Sequence, residues 1–167
     1  TLFLNRSYLG GQYAGRDAGI ALNGAFNRVN WQIAVQNGFD GTGEGWSYTG
    51  RVDVDVIGTS SNIEGGYNAA EGTNLNIGIA YNDDSSDDNT ANPAGSREAS
   101  QFAIDATLTM SGFSIFAEMV DGDADTTVGG PNGNLVPALQ GQSPYSIGAA
   151  YLFGENYEAA LRYDDWD

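Results

Sequence analysis

A chain of 167 residues is the size of one domain, and this one sets 22 acidic side chains against six basic ones, all arginine, for a formal net charge of -16. That balance excludes nucleic-acid binding through phosphate neutralisation, and the absence of cysteine and histidine removes disulfides, thiolate metal sites and the usual nucleophile and base pairs of catalysis. No apolar run approaches the roughly 20 residues of a membrane-spanning helix, which leaves open a β-barrel, where outward and inward side chains alternate and mean hydropathy stays low.

In chain order, residues 1–14 read as an outer loop. From Asp17 to Phe26, one face carries Ala18, Ile20, Leu22, Gly24 and Phe26 and the other Asp17, Gly19, Ala21, Asn23 and Ala25, the period of two that puts successive side chains on opposite faces of a strand. A short turn near 27–30 leads into Trp31 to Phe39, where Trp31, Ile33, Val35 and Phe39 oppose Gln32, Ala34, Gln36 and Gly38. After a long polar loop at 40–46, Tyr48, Val52, Val54 and Val56 oppose Arg51, Asp53 and Asp55. Gly58 to Thr73 breaks the rhythm. It sits where a short turn belongs, yet it is long, and Asn62 to Asn68 reads as a strand extension or a periplasmic excursion.

The pattern resumes with Leu75, Ile77, Ile79 and Tyr81 opposing Asn74, Asn76, Gly78 and Ala80, and a long loop follows at 83–98. Phe102, Ile104, Ala106, Leu108 and Met110 then alternate with Gln101, Ala103, Asp105, Thr107 and Thr109. Beyond a turn at 111–112, Phe113, Ile115, Ala117 and Met119 alternate with Ser114, Phe116, Glu118 and Val120, where Phe116 and Val120 blur the contrast. A long loop at 122–143 precedes Tyr145, Ile147, Ala149, Tyr151 and Phe153, and a turn at 154–156 precedes Tyr157, Ala159, Leu161 and Tyr163.

Connections thus alternate between short and long, the asymmetry between the two rims of an outer-membrane barrel. Aromatic residues fall near strand ends on the apolar face, among them Trp31, Tyr48, Tyr81, Phe102, Phe113, Tyr145, Phe153 and Tyr163, where amphipathic rings sit at the two water boundaries of such barrels. These patterns predict an all-β fold, an antiparallel transmembrane β-barrel, with residues 1–167 as a single segment. Its strands number about eight, of about 9 to 11 residues each, long enough to cross a bilayer at a tilt. The competing reading is a secreted, acidic β-sandwich that binds ligands or forms surface structure. Its apolar face would point inward and its aromatics would sit at strand centres.

Phe3-Leu4-Asn5-Arg6-Ser7, then Arg16-Asp17-Ala18-Gly19 and Leu22-Asn23-Gly24, resemble the phosphate-selective porin O and P family of outer-membrane proteins. So do Gly112-Phe113-Ser114, Ser143 to Phe153, and Tyr157-Glu-Ala-Ala-Leu-Arg-Tyr163, so that the resemblance spans nearly the whole chain through short motifs. It implies a homotrimer of water-filled barrels of about sixteen strands, of which this chain would be a fragment supplying half, set among outer-membrane lipid and lipopolysaccharide. The chain opens without a signal peptide and stops at Asp164-Asp165-Trp166-Asp167 without a terminal aromatic strand residue, which fits a fragment; a self-contained eight-stranded barrel is the alternative.

The family's anion selectivity implies a lysine cluster at the constriction, and this chain has no lysine. Its candidates for the pore wall are Arg6, Arg16, Arg51, Asp53, Asp55, Asp105, Glu118, Glu158, Arg162 and Asp164. Rings of carboxylates lower the energy of cations in a narrow pore, so the expected function is a passive channel for small polar or ionic solutes, with weak cation preference or general diffusion. In the plainer alternative these carboxylates pair with arginines on neighbouring strands and only hydrate the wall. Asp121-Gly-Asp-Ala-Asp125 resembles the opening of a calcium loop, but Thr126 and Asn132 stand where an EF-hand needs Gly and Glu. Asp121, Asp123 and Asp125 remain weak candidates for a divalent cation, with Asp83-Asp84 and Asp87-Asp88, against the commoner solvated acidic loop. No other cofactor is expected. Acidic pairs are too abundant to single out glycosidase chemistry, and Gly122 to Gly133 lacks the Lys-Ser/Thr of a phosphate loop, so no enzyme is expected.

Overall fold

The computed structural model describes residues 18–36, 46–59, 72–86, 97–126, 143–154 and 156–165. They form β1 (Gly19–Phe26), β2 (Val29–Gln36), β3 (Trp46–Ile57), β4 (Thr73–Ser86), β5 (Arg97–Met110), β6 (Phe113–Thr126), β7 (Tyr145–Phe153) and β8 (Tyr157–Asp165). All eight join one antiparallel sheet whose spatial order is the chain order. The expected all-β antiparallel architecture is therefore present. The sheet is open, with β1 and β8 as its edges, and no ladder joins them among the described residues.

The tight turns follow from backbone chemistry. Phe26 pairs with Val29, so the β1–β2 turn is Asn27-Arg28 alone, two residues shorter than the alternation suggested, because Val29 and Asn30 already pair into the ladder. Asn27 has φ 57°, a left-handed conformation that asparagine tolerates. Between β5 and β6, Met110 pairs with Phe113, and Ser111 and Gly112 both carry positive φ, 48° and 81°, as a type I′ hairpin requires.

Strands β4, β5 and β6 run further than their alternation. Asp83, Asp84, Ser85 and Ser86 pair with Ser100, Ala99, Glu98 and Arg97, and Arg97 to Gln101 pair with Thr126 to Gly122. The expected loops at 83–98 and 122–143 therefore start later, and the first ends earlier. Backbone hydrogen bonds propagate a ladder without an apolar face, so pairing outlasts the side-chain contrast. Trp46, assigned to the 40–46 loop, pairs with Ser85. The outer loop 1–14, Phe39 and the Asn62 to Asn68 excursion lie outside the described residues.

The two faces invert the soluble rule. Buried polar residues are Ser47, Asp55, Asn74, Asn76, Thr109, Ser114 and Ser146, whereas the buried hydrophobics are only Val120 and Ala150 among the described residues. One continuous register row, Trp31, Val52, Ile79, Ile104, Met119 and Tyr145, is exposed along its whole length. Leu161 is 81% exposed, against 0% for Ser146. With all eight strands in one sheet, the apolar rows are not interleaved between two sheets of the described strands, and the crowded side is the polar one.

Candidate functional site

Register assembles the site. Asn30, Asp53, Gly78, Asp105, Glu118, Ser146 and Asp164 are successive partners from β2 to β8. Directly paired residues of antiparallel strands share a face, so four carboxylates lie in one transverse row on the polar side. The next row holds Asp55, Asn76, Thr107, Phe116, Gly148 and Arg162.

Arg51 reaches into the first row. Its Nε and Nη2 donate to the Asp53 carboxylate at 3.0 and 2.6 Å, and its Nη1 and Nη2 donate to Asp105 at 2.7 and 3.0 Å. The guanidinium crosses β4 over Gly78, where a Cβ would fall on Arg51 Nη2 and 2.7 Å from Asp105 Oδ2. A planar fork with donors on two edges suits this double grip, and glycine clears its path. At the far end of the row, Arg162 Nε donates to Asp164 Oδ2 at 3.1 Å.

Amides satisfy much of the remainder. Asn76 Nδ2 donates to Asp55 Oδ1 at 2.9 Å, Asn74 Nδ2 to Thr109 Oγ1 at 3.3 Å, and Ser47 and Thr49 hydroxyls donate to Asn82 Oδ1 at 3.0 and 2.7 Å. Phe116, one of the residues that blur the alternation, lies against Gly148, whose added Cβ would meet its Cδ1 at 2.8 Å. An aromatic ring covering a glycine explains why this large apolar side chain belongs on the polar face.

Of the candidates read from sequence, Arg51, Asp53, Asp55, Asp105, Glu118, Glu158, Arg162 and Asp164 all fall on this face, and none of the eight is exposed. Arg6 and Arg16 lie outside the described residues. Carboxylates do pair with arginines, but not on the neighbouring strands expected: Asp53 and Asp164 pair within their own strands, and Asp105 pairs with Arg51 across β4. The roles of Gly78 and Phe116 depend on register, which alternation along one strand does not carry.

The backbone of Asp121, Asp123 and Asp125, the weak candidates for a divalent cation, lies in strand β6, so that Asp123 and Asp125 belong to a strand where the loop 122–143 was expected. Asp121 is exposed on the opposite face and accepts from Ser143 Oγ at 3.4 Å. Asp83 accepts from Tyr81 OH at 3.3 Å. Among the described residues no group of three or more His, Cys, Asp or Glu is placed to hold a metal ion.

No family model, curated protein or solved structure matches this chain, so the porin resemblance rests on its short motifs.

Proposed function

We propose that this chain is wall of an outer-membrane β-barrel porin, a passive water-filled channel for small polar or ionic solutes with weak cation preference. The observation that carries this reading is the inversion of faces: exposed Ile, Leu, Val and aromatic rows on one side, a hydrogen-bonded polar lining on the other. In water, such an apolar surface would be a large aggregation hazard. In a bilayer it is the required surface, and the polar side becomes the lumen.

Dimensions and boundaries support it. From Phe102 to Met110 the apolar face of β5 runs eight residue steps, about 27 Å along the strand and about 21 Å along the normal at a tilt of about 40°, close to the apolar band of such barrels. Tyr145 and Tyr163 hydroxyls donate to Asp165 at 3.1 and 2.9 Å at one end of that face, the half-wet, half-apolar setting of an interfacial aromatic belt. In hydrocarbon the free edges of β1 and β8 must be paired. Further strands closing the wall to about sixteen, in a homotrimer surrounded by lipid and lipopolysaccharide, agree with the motif resemblance.

Two arginines and six carboxylates make up the charged lining named above, and the excess of negative charge favours cations. Protein extracted from outer membranes with detergent and placed in a planar bilayer is expected to give ohmic conductance steps, with a reversal potential in a KCl gradient of cation-selective sign. Recovery from the soluble fraction without detergent, together with no conductance, would contradict the channel.

A further inference from the structure

We propose that Gly78 is a selectivity-determining position of this wall, because its missing side chain holds the Arg51 charge flat against the lining and out of the lumen. The inference rests on the channel reading above and adds the residue that tunes it. Asp53, Gly78 and Asp105 are adjacent partners on β3, β4 and β5, and one guanidinium spans all three with four hydrogen bonds. Spanning β4 requires passage across position 78, and Gly78 is itself buried beneath the bridge. On the β4 side the neighbours of Arg51 are small as well: its direct partner there is Ala80, followed by Ala103 on β5, while its partner on β2 is Gln32. The two β4 positions that the guanidinium crosses, Ala80 and Gly78, offer no polar side chain to compete for it.

The charge consequence is specific. While clamped, one positive charge neutralises half of a two-carboxylate pair, and the wall keeps one net negative charge there. A side chain at position 78 leaves the Asp53 contact possible, since Asp53 is two residues along the same strand, but blocks the reach to Asp105. The long arginine then swings toward the water-filled side, and its charge moves closer to the path of passing ions. Cations are repelled by a mobile guanidinium more than by one lying between two carboxylates. Removing Arg51 altogether has the opposite sign, since two carboxylates are then unmasked.

The test uses the channel as extracted from outer membranes with detergent and reconstituted in planar bilayers, with reversal potentials in a KCl gradient for the wild type, Gly78→Ala, Gly78→Val, Arg51→Gln and the double variant Gly78→Val/Arg51→Gln. Arg51→Gln is expected to raise the cation-to-anion permeability ratio and Gly78→Val to lower it, each on the order of twofold, the scale of one screened charge beside an aqueous pore. The double variant is expected to match Arg51→Gln. Gly78→Ala is expected to shift in the same direction as Gly78→Val, because a Cβ alone already meets Arg51; it supplies the arm if the valine variant fails to fold. A conducting wild type whose selectivity is unchanged by both glycine substitutions, or shifted in the same direction as by Arg51→Gln, overturns the role of Gly78 and leaves the channel standing. A wild type that never conducts overturns the channel and this inference with it.

Discussion

Phe116 on β6 and Gly148 on β7 are direct register partners, and the ring occupies the space a side chain at 148 would need. The pair therefore behaves as one packing unit. Gly148→Val is expected to destabilise the sheet by about 1 to 3 kcal/mol through overpacking, and Phe116→Ala to relieve part of that loss in the double variant, with a coupling of about 0.5 to 3 kcal/mol. Urea unfolding of the four proteins in lipid vesicles measures both, and strict additivity would contradict the packing.

Asn76 is 6% exposed and donates to the Asp55 carboxylate. Asn76→Ala removes a hydrogen bond to a charged acceptor on a crowded face, with an expected loss of about 1.5 to 3 kcal/mol. Asn82→Ala leaves the Ser47 and Thr49 hydroxyls without the acceptor they share and is expected to lose about 1 to 3 kcal/mol by the same argument. Equal midpoints for wild type and both variants would count against these hydrogen bonds stabilising the polar face.

The β5–β6 hairpin offers a gain. Ser111 sits at φ 48° with Gly112 after it, and asparagine is better suited than serine to the first central position of a type I′ turn. Ser111→Asn is expected to raise stability by roughly 0.5 kcal/mol, while Gly112→Val, forced to the same positive φ, is expected to lose at least 1 kcal/mol, on the order of the strain of that region. The same unfolding assay orders the three.

Ile147 is 50% exposed on the apolar face. In a water-soluble protein, arginine at such a site changes stability by no more than about 0.5 kcal/mol. Facing lipid near the middle of the bilayer, Ile147→Arg is expected to lose about 2 to 4 kcal/mol, as is Ile77→Arg. A near-neutral result at both positions would remove lipid from the apolar side.

Strand identity and facing were legible because alternation is written residue by residue: Phe102, Ile104 and Met110 fall on the exposed side as their spacing requires. That the eight described candidates share the polar face was legible for the same reason. What alternation cannot carry is the lateral offset between strands, so the alignment of Asp53, Asp105, Glu118 and Asp164 into one row, and the position of Gly78 beneath Arg51, follow only from pairing. Strand ends were lost where the contrast faded, as at Asp83 to Ser86, since a backbone ladder needs no apolar partner.

Lipid on one side and water on the other is tested most directly at neighbouring residues. The chain has no cysteine, so single cysteines at Ala103 and Ile104, which lie on opposite faces of β5, carry unique spin labels in the reconstituted protein. The expected result is a label at 104 relaxed by oxygen, which concentrates in hydrocarbon, and a label at 103 relaxed by a water-soluble nickel chelate. Equal access of the chelate to both positions, with oxygen favouring neither, would contradict the account.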